Sequence, residues 1–165
     1  MEKINPLRSF AERALSYPSF LNMRLLTWVF RFKVKLVGTV GLKIIETDLK
    51  RVVFYQKNRK KVQNHIGGVH AAAMALLAES ATGFVVGVNL PGDKLPLIKS
   101  MHLKYVKRSQ GDMRAEAWLT DEQIQQMQTQ EKGDILVAVN VSDESGEAPI
   151  ICEMNWAWLT KSKSQ

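Results

Sequence analysis

Between Lys61 and Asp93 only one residue carries a formal charge at neutral pH, Glu79, and it sits in a run of Ala, Met, Leu, Val and Phe. An ionised carboxylate among apolar neighbours is costly unless partnered, so it needs a raised pKa or a task. Nine residues upstream stands His70, within the entrance Gly67-Gly68-Val69-His70-Ala71, and Asn64 opens the same stretch. A helix that starts at this entrance presents unpaired backbone N–H groups and a partial positive charge, which suits a phosphate or a developing oxyanion. The glycines allow a ligand close to the backbone. These residue types can carry acyl transfer to water. The N–H groups near His70 and Ala71 polarise a carbonyl, Glu79 activates water or attacks as a nucleophile, and Asn64 orients the water or the substrate. Each residue also has a plain structural reading: Asn64 as a turn or capping residue, His70 as a satisfied half-buried histidine, the glycines as an ordinary turn before a helix. His65 and His102 attract no role.

Spacing limits how these groups can cooperate. At 100° and 1.5 Å per residue, nine residues place Glu79 half a turn from His70 and roughly 13 Å along the axis, too far for one chain to aim both at one small substrate. If the two act together they come from different subunits, with antiparallel central helices side by side in a two-fold dimer.

The elements that must hold this arrangement follow from the hydrophobic pattern. From Val69 to about Leu90 the residues are apolar on every side, with no stripe separating a core face from a solvent face, so the helix is expected to be buried. Residues from about Asn5 to Phe32 read as two short helices broken at Pro18. They are expected to cover the sheet; a membrane-surface anchor built from Trp28, Phe30, Phe32 and nearby bases is the lesser reading. Thr39 to Lys57 alternates as a hairpin turning at Glu46-Thr47-Asp48. After a Pro91-Gly92 turn, four strands are expected at about Leu97–Arg108, Met113–Leu119, Ile135–Ser142 and Ile150–Leu159, with Asp121–Lys132 a short helix or a solvated crossing. The order gives an α+β domain spanning residues 1–165, with a helical lead-in over 1–33 and a core over 34–160 in which a six-stranded antiparallel sheet wraps one long helix.

The bulk composition agrees. The 165 residues, 45% hydrophobic and 24% charged, fit one ordered domain with no linker or repeat. The single cysteine, Cys152, excludes an internal disulfide, and the lack of a Cys/His cluster argues against structural zinc. The apolar run Leu25–Phe30 is too short to cross a bilayer, and a cytoplasmic protein is expected. A net charge of +7 favours an anionic partner. No recognised nucleic-acid motif or basic helix appears, so nucleic acid is the third choice.

The run NHIGGVHAAAMALLAES resembles the loop and central helix of hotdog-fold thioesterases of the phenylacetate-pathway type, in which an Asn or Gln precedes a His-Gly-Gly entrance and an acid follows along the helix. Met101–Leu119 resembles the strand pair that comes next in those proteins, and the resemblance covers roughly Gly41 to Leu159. It is closer still to DUF4442, a hotdog subfamily with an N-terminal helical extension and an Asn-His-x-Gly-x-x-His-Ala entrance. The resemblance implies an acyl thioester, commonly of coenzyme A, bound between subunits of a homodimer or a dimer of dimers, with no separate cofactor. Its carbonyl would lie near the N–H of Ala71, Glu79 would come from the other subunit, and Asn64, Gly68 and His70 would position it. Ala71 and Ala72 stand where the active enzymes carry paired glycines. Ser80 or Thr82 would supply a supporting hydroxyl. Lys99, Lys104, Lys107 and Arg108 could meet nucleotide phosphates, although alternating Lys and apolar residues also describe any half-exposed strand. A hotdog dehydratase is disfavoured because the proline-rich histidine loop of those enzymes is absent. A non-catalytic acyl-CoA or lipid-binding protein is the alternative from another class.

Overall fold

The computed structural model describes residues 4–161. Residues 1–3 and 162–165, which the expected single domain includes, lie outside the described residues.

Three helices lead in: α1 (Pro6–Leu15), α2 (Ser19–Lys33) and α3 (Lys35–Val40). Asn5 starts the first. Its Oδ1 accepts from the N–H groups of Leu7 and Arg8 at 2.9 and 3.1 Å, with Pro6 pre-set for the first helical position. The break at Pro18 is where the sequence places it. The third helix is a difference from the expected strand near Thr39: residues 35–40 make one further helical segment, closed by Gly41 at a left-handed φ of 74°.

Strands β1 (Lys43–Thr47) and β2 (Arg51–Gln56) form the expected hairpin, with its turn slightly later, where Asp48 Oδ1 accepts from the N–H groups of Lys50 and Arg51. The central helix α4 runs Ala71–Asn89. It is followed by β3 (Lys94–Tyr105), β4 (Met113–Trp118), α5 (Asp121–Thr129), β5 (Gly133–Asp143) and β6 (Ile150–Thr160). Of the two readings left open for Asp121–Lys132, the helix is the one observed. Thr120 and Gln123 form a reciprocal capping box at its start.

The six strands form one antiparallel sheet in the order β1-β2-β4-β5-β6-β3. Helix α4 packs on every strand from β2 to β3, and Ala115 and Ala117 of β4 face it, small enough to let it sit close. The helical lead-in belongs to this core: Phe30 of α2, Phe54 of β2 and Phe84 of α4 meet edge-to-face with ring centroids 5.4 to 6.1 Å apart. Asn5 adds a polar tie, donating through Nδ2 to the carbonyls of Gly87 and Leu90 at the end of α4.

The two sheet edges differ. At β1 the unpaired backbone is met by α2: Thr27 Oγ1 accepts from the Ile44 N–H at 3.0 Å and donates to its carbonyl, and Arg31 donates to the carbonyls of Leu42 and Gly41 at 2.7 Å. Thr27→Val keeps the shape and removes both hydroxyl bonds. It is expected to cost about 1–3 kcal/mol, read as a lower urea midpoint with an unchanged slope. At the other edge, β3 presents 12 residues with Leu95, Leu97 and Met101 each more than two-fifths exposed. This edge, interrupted by a register shift between Ile98 and Ser100, leaves backbone N–H and C=O groups on which another chain can pair.

Candidate functional site

The entrance to α4 is built by a tight loop. Asn64 organises it: its Oδ1 accepts from the N–H groups of Ile66 and Gly68, both at 3.1 Å, while its own N–H donates to the Gly68 carbonyl at 2.8 Å. Gly67 takes φ of 81°, a conformation side-chain-bearing residues rarely adopt. Gly68 is favoured for a different reason, because a Cβ there would stand 3.1 Å from Ser109 Oγ and displace it by a few tenths of an ångström. The loop is anchored from behind by Asp112, which accepts from the Tyr55 hydroxyl and from the Asn58 N–H, and Asn58 Nδ2 donates to the Gly67 carbonyl.

His70 is the N-cap of α4. Its Nδ1 accepts from the Ala72 N–H at 3.0 Å, so the neutral ring carries its proton on Nε2, and the side chain is solvent-exposed. The Ala71 N–H donates to no protein acceptor among the described residues. Ala71 lines a cleft of about 480 Å³ with Asn64, Gly68, Met74, Tyr105, Lys107, Arg108 and Ser109 among others. A free N–H at a helix start, with two bases on the rim, favours an anion or an oxyanion.

Glu79 lies elsewhere on the same helix. The open positions of α4 are Ala71, Ala72, Ala75, Leu76, Glu79, Gly83 and Gly87, and most of them form one stripe. This corrects the expectation of a helix buried on all sides: the stripe was invisible to hydrophobic patterning because small apolar residues fill it. Glu79 is half-buried on this stripe and makes no ion pair among the described residues. Burial pushes its carboxyl above the usual carboxylate range. The neighbouring Ser80 Oγ is buried without a hydrogen-bond partner among the described residues, so burial dominates the shift. Its own core has thus not absorbed Glu79, and within one chain it does not reach the Ala71 cleft.

Other expected residues fall differently. Thr82 is fully buried, and its hydroxyl is committed to the carbonyls of Ala78 and Glu79 and to Trp156 Nε1 at 2.9 Å, so it packs the core and meets no substrate. Lys104 stands beside Tyr105 on β3, and successive strand residues point to opposite faces. Because the Tyr105 hydroxyl donates to the Ala71 carbonyl at 2.9 Å, Lys104 faces away from the cleft. Lys107 does line it, while paired with Glu147. Ser109 escaped the sequence reading; its Oγ accepts from the Val69 N–H at 3.1 Å and fixes the last loop residue before α4. A serine 40 positions away in sequence offers no periodic signal.

Cys152 offers no ready nucleophile, since burial pushes its thiol up to about 11. Among the described residues no group of three or more His, Cys, Asp or Glu is placed to hold a metal. The most apolar cavity, about 510 Å³ between α1, α2 and the start of β3, sits at the far end of α4, roughly 28 Å along the axis from Ala71.

The sequence matches the family described as a domain of unknown function, DUF4442, over residues 22–159. The chain belongs to that family. No curated protein matches this DUF4442 chain. Among solved structures, a Pseudomonas aeruginosa protein of unknown function described as a probable thioesterase is 24% identical, with a TM-score of 0.76 over 84% of this chain and 95% of that one. A thioesterase from Haemophilus influenzae is 11% identical, with a TM-score of 0.66 over 84% of this chain and 90% of that one. A mutant thioesterase from Pseudomonas aeruginosa is 12% identical, with a TM-score of 0.66 over 82% and 94%. At these identities the likeness shows the fold alone, which is the hotdog fold.

Proposed function

We propose that this DUF4442 chain hydrolyses an acyl thioester, of coenzyme A or a similar carrier, at a site completed by two subunits. The observation that carries the reading is the division of α4: a free N–H at Ala71 stands beside a cleft, while the helix's one carboxylate, Glu79, waits on an open stripe roughly 12 Å further along the axis with its pKa raised. Antiparallel pairing of two α4 stripes brings each Glu79 towards the partner's Ala71 end. Pairing of two β3 edges extends the sheet across the same dimer. The description of the structural relatives as thioesterases supports the same chemistry.

In this reading the Glu79 carboxylate takes a proton from water, and the water oxygen adds to the thioester carbonyl carbon. The oxyanion that forms is stabilised by the Ala71 N–H and the α4 N-terminus. Collapse breaks the C–S bond, the leaving sulfur receives the proton from Glu79, and a carboxylic acid and a free thiol depart. Lys107 and Arg108 on the rim attract the phosphates of the carrier, and Gly68 and His70 shape the mouth. Binding without turnover is the second reading. It draws on Ala71 and Ala72 and on Asn64, whose oxygen is spent on the loop, leaving only Nδ2 to orient water.

Thiol release over short, long and aromatic acyl-CoAs separates the two. Hydrolysis is expected for at least one class; a folded dimer that binds acyl-CoA and releases no thiol would leave the binding reading. Leu97→Asp places a charge on the β3 edge and is expected to give a monomer by sedimentation, with turnover reduced at least about tenfold because each site loses its second half.

A further inference from the structure

The outer face of α2 carries side chains that the fold does not use. Phe20, Trp28 and Phe32 are 73%, 68% and 71% exposed, and with Arg24 between them they recur every four residues as one ridge. Trp28 and Phe32 stack on each other at 6.2 Å, in solvent. Leu36 of α3, 58% exposed, continues the line. The core side of α2 is satisfied separately by Leu26 and Phe30, and Thr27 and Arg31 are spent on capping β1.

The charge around this ridge has one sign. From Ala14 to Ile45 the sequence holds five basic residues and no acid. Arg31 is turned to backbone carbonyls; Arg24, Lys33, Lys35 and Lys43 are exposed and form no ion pair among the described residues. The acids that follow and precede the stretch are already engaged, Glu46 with Arg51 and Glu12 with Arg8. A row of bulky apolar side chains flanked by unpaired bases is the pattern of a helix that lies in a membrane interface.

We propose that α2 and the start of α3 dock on an anionic lipid bilayer. Phe20, Trp28 and Phe32 enter the boundary between headgroups and acyl chains, and Arg24, Lys33 and Lys35 pair with lipid phosphates. Helix α2 covers β1, at the opposite sheet edge from β3, so pairing of the β3 edges leaves its outer ridge open. The inference does not depend on turnover.

Co-sedimentation of the full chain with phosphatidylcholine vesicles, with and without phosphatidylglycerol, tests it. Binding is expected to the phosphatidylglycerol vesicles, weakening at least about tenfold when salt is raised from 0.05 to 0.5 M, as screening of surface charge requires. Trp28→Ser with Phe32→Ser, and separately Arg24→Glu with Lys35→Glu, should each weaken binding about tenfold or more with unchanged circular dichroism, since all four side chains are exposed. Equal binding by these variants, or no binding by the folded wild type, would overturn the proposal. It would equally fall if light scattering showed the ridge variants altering only the oligomer, which would make the ridge a contact between copies.

Discussion

Glu79→Gln is expected to lower kcat for thioester hydrolysis by about 10²–10⁴-fold, the range for loss of a general base. The same change is expected to raise the melting temperature at neutral pH. The sign follows from linkage. Because burial holds the folded-state pKa above the unfolded value, the folded chain binds more protons in the interval between them, and stability falls as pH rises through that interval. Glutamine, neutral throughout, escapes the loss. The stability gain should therefore be present at pH 7 and vanish as pH drops below the ordinary carboxylate range. In the wild type, kcat should rise with pH over the interval in which stability falls, because both report ionisation of one carboxyl. A variant that stayed active, or that lost stability at neutral pH, would mean that Glu79 serves the fold instead.

Ala71→Pro is the complementary change. Proline is favoured at the first helical position, where its missing N–H costs the helix nothing, and His70 already holds φ −63° and ψ 143°, the conformation a residue before proline prefers. The Tyr105 bond to the Ala71 carbonyl is untouched. The one chemical loss is the N–H beside the cleft. Turnover is expected to fall by about 10²–10³-fold, as when an oxyanion-hole donor is removed, with little change in melting temperature. If Ala71→Pro hydrolyses normally, the α4 N-terminus does not hold the oxyanion.

The fold was legible where one period dominates a segment. Alternation in Val52–Gln56 and Met113–Leu119 marks strands, and the unbroken apolar run after Val69 marks the central helix. What escaped were features set by tertiary partners. Thr39 and Val40 read as the start of a strand because Val and Thr favour it, yet Gly41 and packing against α2 hold them in the end of a helix. The open stripe on α4 has no polar residues except Glu79, so no amphipathic signal could show it. Thr82 looked like a site hydroxyl because it stands near Glu79 in sequence; three residues along a helix turn it into the core, where Trp156 donates to it. Which face of β3 turns to the cleft is not legible in its alternation of Lys and apolar residues; the Tyr105–Ala71 hydrogen bond sets it and turns Lys104 away. The entrance from Asn64 to His70 was readable as a unit, but its glycines owe their identity partly to Ser109, which only the folded chain brings near.

In the proposed enzyme each site joins Ala71 of one subunit to Glu79 of the other, and mixed dimers test that pairing. Glu79→Gln and Ala71→Pro chains, each inactive alone, are refolded together so that subunits exchange. Half of the dimers formed at random are mixed, and each mixed dimer holds one intact site and one doubly broken site. Recovery of about a quarter of wild-type acyl-CoA hydrolysis is expected. No recovery, with exchange verified by tagged subunits, would show that both groups act within one chain or not at all, and would contradict that pairing.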